Sequence, residues 1–363
     1  MSGAVRRLAA LALVVALTIV AGTGPAAATT IAAAPTIAQL VGQKLVVAMD
    51  GTTTPSVGLL SRIAKGEVGG VILFGRNVTT QAALMALTKQ LHDGAAKAGR
   101  PRLLIMVDQE GGSIKRIPWA PPTLSPPQMG ALGSNATARS QGGQTGLALS
   151  GLGIDVDLAP VADVPASTAS FLYKQGRTWS FNSSSTAWLA FSFAHGLQAG
   201  GVIPAMKHFP GLGYATQNTD TTVVTIRATA AQLQPGLRPY QLAVQNQLPL
   251  VMLSNASYTA YDASHPAGFS STIINGLLRG QLGFKGVTMT DSLDGTAAAR
   301  GVAVATLARF AARSGADFLL LTGSEASSAA VYANLVASAT SGSIQVSTLQ
   351  AAYNRILALK TQP

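Results

Sequence analysis

Few side chains in this sequence can do chemistry, and they are unevenly spread. The 363 residues include 14 acids, four histidines and no cysteine, against 25 lysines and arginines. Lys207 and His208 follow a β-branched lead-in, Val202-Ile203, and run into a loop broken by Pro210, Gly211 and Gly213 that ends on Asp220. Asp108, Asp163 and Asp291 each stand at or just beyond the end of a short apolar run, and Arg116 and Arg177 lie in the segments that follow two of those runs. The absence of cysteine removes thiolate nucleophiles, disulfides and a lipid-modified N-terminal cysteine together. The histidines, His92, His195, His208 and His265, share no metal-ligand spacing, and no phosphate-cradling loop occurs, so neither a metal nor another cofactor is expected. What is left is carboxyl chemistry beside Arg, Lys and His. That set suits a neutral polyhydroxylated ligand such as a sugar, whose hydroxyls both donate and accept.

These groups need a scaffold that brings strand ends to one place. Eight short apolar runs recur along the chain: Leu45 to Ala48, Val71 to Phe74, Leu103 to Val107, Val156 to Leu158, Ile203 to Met206, Leu250 to Leu253, Val287 to Thr290 and Phe318 to Leu321. Most are continuous rather than alternating, as parallel strands buried on both faces read. Helical spacing fills the gaps, as in Thr80 to Ala98, Ser185 to Ala199, Ala230 to Gln245, Ser271 to Leu282 and Val302 to Ser314, and a loop with a final helix closes Gly342 to Pro363. Eight strand-helix repeats predict a single (β/α)8 TIM-type barrel, whose chemistry collects on the rim at the C-terminal strand ends. An open doubly wound sheet would want a Gly-x-Gly-x-x-Gly turn after the first strand, and none is there.

On that rim Asp108, Lys207-His208, Ser254-Asn255 and Asp291 end the third, fifth, sixth and seventh strands. Asp157 lies within the fourth. Asp163, just past it, is expected to cap a helix or close a loop, whereas Asp291 ends a strand buried enough to hold a nucleophilic carboxylate rigidly.

The first residues read as a leader. Arg6 and Arg7 precede an apolar run from Leu8 to Val20 and small residues through Ala28, the layout of a secretory signal. Residues 1–28 are therefore expected to be removed, leaving 29–363 as a secreted or cell-envelope barrel without a stable membrane anchor. The net charge of +11 suits anionic envelope polymers. Nucleic acid is not expected as a partner, because the basic residues are scattered and only 6% of residues are aromatic. Oligomeric state is not legible.

Five ordered motifs carry a family resemblance. Gly69-Gly70-Val71-Ile72-Leu73-Phe74, Asp108-Gln109-Glu110-Gly111-Gly112, Ala159-Pro160-Val161-Ala162-Asp163, Lys207-His208-Phe209-Pro210-Gly211 and the segment from Gly283 to Asp291 resemble the landmarks of glycoside hydrolase family 3. The similarity is to its single-domain bacterial β-N-acetylglucosaminidases and spans nearly the whole mature chain. The resemblance implies Asp291 as the nucleophile of a retaining β-glycosidase. It also implies Asp108, Arg116, Arg177, Lys207 and His208 as ligands of the sugar before the scissile bond.

One loop departs from that pattern. Where the family continues Pro-Gly-His-Gly and then Asp-Ser-His, the last His being the acid/base, this chain reads Pro210-Gly211-Leu212-Gly213 and Asn218-Thr219-Asp220. The Asp-His dyad is missing, and a carboxyl, Asp220, stands at the histidine's position. Two outcomes follow. Either Asp220 takes over the acid/base work of an enzyme on β-N-acetylglucosaminides or β-glucosides, or the rim binds glycan without cleaving it.

Overall fold

The computed structural model describes residues 34–362; the expected leader, residues 1–28, lies outside them. Eight parallel strands form one sheet: β1 (Leu45–Ala48), β2 (Gly70–Ile72), β3 (Leu104–Val107), β4 (Val156–Asp157), β5 (Ile203–Phe209), β6 (Leu250–Leu253), β7 (Val287–Thr290) and β8 (Leu319–Leu321). Each pairs with the next in sequence from β1 to β7, and β8 returns to pair with β1. The last gap, between β7 and β8, is closed by a single bridge, Met289 to Phe318. There the Thr290 hydroxyl accepts from the Leu320 N–H and stands in for a ladder bond. The fold is thus the expected (β/α)8 barrel.

The continuous apolar runs have a simple cause. Along β1, Leu45 and Val47 pack outward against the helices, while Val46 and Ala48 point into the barrel with Met106, Leu158, Met252 and Leu320. Both faces are buried, so no polar alternation survives. The C-terminal helix, Val346–Lys360, adds Ile356 and Leu359 to the inner core and so stops the barrel's lower end. Arg355 of that helix pairs with the fully buried Asp317, and the Lys360 ammonium donates to Gln43 Oε1 at 2.7 Å and the Gly69 carbonyl at 2.8 Å.

Two strands differ from the expected bounds in a way that matters. The second stops at Ile72, leaving Phe74 to the rim. The fifth runs to Phe209, so Lys207 and His208 sit within the ladder rather than after it. Helices match closely where spacing was helical: Gln81–Ala96 capped by Thr80, Ser183–Ala199, Ala230–Gln245, Val304–Ser314, and Thr272–Gln281, which winds in the wider π form. Rim additions that spacing does not announce include the hairpin Gln109–Gly111 with Ile114–Lys115, and a three-stranded sheet of Thr225–Ile226, Ser257–Tyr258 and Asp262–Pro266. Among the described residues, no helix is long and apolar enough to cross a membrane.

Candidate active site

A cavity of about 330 Å³ opens at the C-terminal mouth of the barrel, and Asp108, Arg116, Arg177, Lys207, His208, Asp220 and Asp291 all line it. Its floor is apolar, made by the inward residues Ile72, Leu158, Met252 and Leu320. The volume lies at the low end of the usual range for ligand sites.

One wall is a bonded cation-carboxylate network. The Lys207 ammonium donates to Asp108 Oδ1 at 2.8 Å and lies 2.7 Å from Glu110 Oε1. Arg177 grips Glu110 with a parallel pair of bonds, Nε to Oε2 at 2.8 Å and Nη2 to Oε1 at 2.7 Å, the fork geometry that makes guanidinium-carboxylate pairs specific. Arg116 stands 3.6 Å from Asp108 Oδ2. Burial alone would raise the Glu110 carboxyl, but the charges of Lys207 and Arg177 outweigh it and hold Glu110 at about 2. Burial also works against the Lys207 ammonium, yet Asp108 and Glu110 bring it above its usual value. Sequence reasoning missed Glu110. The signal was present, because Asp108 and Glu110 are two apart and share a face of an extended segment.

Beneath that wall lies a further carboxyl. Asp157 is fully buried inside β4; its Oδ1 accepts from the Gln109 N–H at 2.9 Å, and its Oδ2 has no partner among the described residues. Burial pushes its carboxyl up to about 8, with Asp108 and Glu110 adding repulsion that Lys207 and the Gln109 bond only partly offset.

His208 is held from below. Its Nδ1 lies 2.7 Å from Asp163 Oδ2, which also accepts the His208 N–H, while Asp163 Oδ1 accepts the Leu212 N–H. Asp163 does close a loop, as its position implied, and it also fixes the imidazole. A carboxylate on Nδ1 makes that nitrogen the donor and leaves Nε2 facing the cavity, 4.0 Å from Asp291 Oδ2.

Asp291 follows β7, and its N–H donates to the Leu253 carbonyl. Oδ1 accepts from the Ser292 N–H at 2.8 Å, which leaves Oδ2 toward the cavity. Asp220 also lines the cavity, on the turn Asn218-Thr219-Asp220, where Asn218 Oδ1 accepts the Asp220 N–H at 3.0 Å. The residue keeps a solvent-exposed side. Loss of water on its inner side, then the charge of Asp291, raise its carboxyl to about 6, against the pull of His208 and Arg177. Two carboxyls in unlike settings on one cavity is the arrangement from which acid and nucleophile roles separate.

Residues 36–359 match the family described as glycosyl hydrolase family 3 N terminal domain. The chain is 32% identical over 334 residues to a secreted glycosyl hydrolase of Arthroderma benhamiae, covering 88% of this chain and 92% of that protein. Among solved structures it resembles a β-N-acetylhexosaminidase from Beutenbergia cavernae, with 32% identity, a TM-score of 0.82, and 90% and 99% of the two chains covered. It also resembles a family 3 β-N-acetylglucosaminidase from a Paenibacillus strain, with 29% identity and a TM-score of 0.86 over 91% of this chain; it spans 63% of that longer protein. The chain belongs to glycoside hydrolase family 3, as a glycoside hydrolase similar to the β-hexosaminidases of that family.

Proposed function

We propose that this chain is an exported retaining β-glycosidase that removes terminal β-linked N-acetylglucosamine from cell-wall fragments, with Asp291 as nucleophile and Asp220 as acid/base. Oδ2 of Asp291 attacks the anomeric carbon while the Asp220 carboxyl gives its proton to the glycosidic oxygen, so the leaving sugar departs as a neutral alcohol. Water then attacks the glycosyl-Asp291 ester, its proton passes to Asp220, and Asp291 leaves as a carboxylate. Two inversions return the β configuration. Asp108, Arg116, Arg177, Lys207 and His208 bind the hydroxyls of the sugar that loses its bond.

The observation that carries this reading is the pairing of Asp291, with one oxygen anchored and one open to the cavity, with Asp220, whose carboxyl is raised to about 6. A general acid needs a value near working pH. Export is supported by the leader sequence and by the relative named as secreted. The sugar is suggested by the names of the similar structures.

The test is an assay of the mature protein on a panel of fluorogenic β-glycosides between about pH 4 and 8, with Asp291→Asn and Asp220→Asn beside it. Turnover of the β-N-acetylglucosaminide, abolished by the first substitution and cut by about 10²- to 10⁴-fold by the second, is expected. A preference for the β-glucoside would overturn the sugar assignment. No turnover on any member, with saccharide binding intact, would overturn the enzyme reading in favour of a wall glycan binder.

A further inference from the structure

The segment carrying Asp220 is tethered at both ends and free in between. Upstream, the Phe171 N–H donates to the Ala215 carbonyl and the Tyr258 hydroxyl to the Gly211 carbonyl. Downstream, the Ser257 N–H donates to the Val224 carbonyl, where the small sheet begins. Between them, residues 216–223 make only local hydrogen bonds, all centred on Asn218: its side chain accepts the Asp220 N–H, and its carbonyl accepts from Thr221 and Thr222. Among the described residues, no hydrogen bond joins this stretch to the rest of the molecule. Yet Asp220 must keep a constant relation to Asp291 for proton transfer and attack to coincide.

A steric contact supplies that relation. Gly295 lies in the first turn of the helix Leu293–Arg300, directly after Asp291. A methyl group built on Gly295 would stand 3.0 Å from Asp220 Cβ, 3.0 Å from the Asp220 carbonyl oxygen and 3.1 Å from Asp220 Cα. Those distances are inside ordinary contact, so the Asp220 backbone lies flat on this turn only because no side chain is there. The turn itself is firmly held. Ser292, its cap, bonds Thr322 Oγ1 at 2.7 Å, and its carbonyl accepts from Asn255 Nδ2 at 2.9 Å and Thr296 Oγ1 at 3.0 Å. Asp294 accepts the Thr322 N–H at 2.7 Å. The same Ser292 donates its N–H to Asp291 Oδ1. One rigid turn therefore touches both carboxyl-bearing residues.

We infer that Gly295 is a positioning residue for the acid/base: its bare backbone is the surface on which the Asp220 loop rests, and this contact sets the spacing of the two carboxyls. The inference rests on Asp220 acting as the acid/base. It makes a distinctive claim, because alanine is the better helix former. Gly295→Ala should leave the helix as stable or more so while pushing the loop outward by a few tenths of an ångström or more. Reaction geometry is sensitive on that scale, a misplacement near 1 Å costing roughly 10²-fold.

The experiment compares wild type, Gly295→Ala, Gly295→Val and Asp220→Ala on two aryl β-glycosides of the preferred sugar. One carries a dinitrophenyl group, which leaves without protonation, and the other a phenyl group, which needs it. Melting temperature is measured in parallel. Expected for Gly295→Ala is a loss of about 10-fold or more on the phenyl glycoside, with sugar release from the dinitrophenyl glycoside restored by azide, a nucleophile that needs no base. Gly295→Val should lose more, and the melting temperature of Gly295→Ala should hold or rise. Equal losses on both substrates, a melting temperature that falls with activity, or a Gly295→Ala enzyme like wild type would overturn the positioning role. If Asp220→Ala itself shows neither leaving-group dependence nor azide rescue, the acid/base assignment fails first and the positioning role with it.

Discussion

The two walls of the cavity are built on opposite terms. On one, Asp108, Glu110, Arg177 and Lys207 are cross-bonded over a sequence span of nearly a hundred residues, and His208 is pinned by Asp163. On the other, Asp220 rides a stretch whose hydrogen bonds are all internal. The first wall can be complete before a ligand arrives; the second is held by contact and by its two ends. On the proposed roles, the difference separates recognition, which gains from rigidity, from proton transfer, which must let a leaving group out.

That contrast can be broken most severely at Glu110. Glu110→Ala leaves Lys207 and Arg177 buried against each other without their shared carboxylate, and unpairing a buried ion pair costs about 3–5 kcal/mol. A melting temperature lowered by many degrees, with sugar binding lost, is expected in thermal denaturation and binding assays; an unchanged melting temperature would mean the wall is not prefabricated. Next in size is the pH response of the looser wall. With its carboxyl at about 6, Asp220 in its proposed role holds a proton to donate below that pH and has lost it above. kcat/KM on a poor leaving group should then fall about tenfold per pH unit beyond 6. The same alkaline limb persisting in Asp220→Asn would remove Asp220 from the role. Asn218→Ala should act more mildly, since it removes one turn bond of about 1 kcal/mol and leaves the ends tied; kcat is expected to drop a few-fold with KM and melting temperature little changed.

A separate effect, on stability rather than on catalysis, concerns Asp157, beneath the rigid wall. Its folded value, raised to about 8, exceeds the ordinary 3.8, so the folded state binds a proton that the unfolded chain releases. The stability this contributes is complete below about pH 4 and is lost as pH rises through 8. Asp157→Asn keeps the acceptor for the Gln109 N–H and has no proton to lose. Its melting temperature should therefore gain on wild type steadily from pH 4 to 8, at roughly 2–4 °C per kcal/mol; a constant difference would show that Asp157 is ionised throughout.

Much of the barrel was legible because burial on both faces writes strands as unbroken apolar runs, and strand ends then locate Asp108, Lys207, His208 and Asp291. What stayed hidden depends on distant partners. Glu110 becomes part of the wall only through partners far along the chain, Arg177, 67 residues away, and Lys207. The helix Asn135–Gly151 carries Gly142 and Gly146 in its interior, where the helix Ser183–Ala199 crosses so closely that a methyl on Gly142 would fall 2.1 Å from the Phe193 carbonyl. Gly295 is hidden for the same reason. A glycine that admits another backbone looks, in one sequence, like a glycine that ends a helix.

The stopper at the foot of the barrel has a consequence in time. Lys360 meets Gln43 across 317 residues of chain, so the inner core of the first strands waits for the last helix to be made. Contacts so remote in sequence form slowly. On the proposed export of an unfolded chain, a barrel that cannot seal until this helix emerges stays threadable for as long as transit lasts.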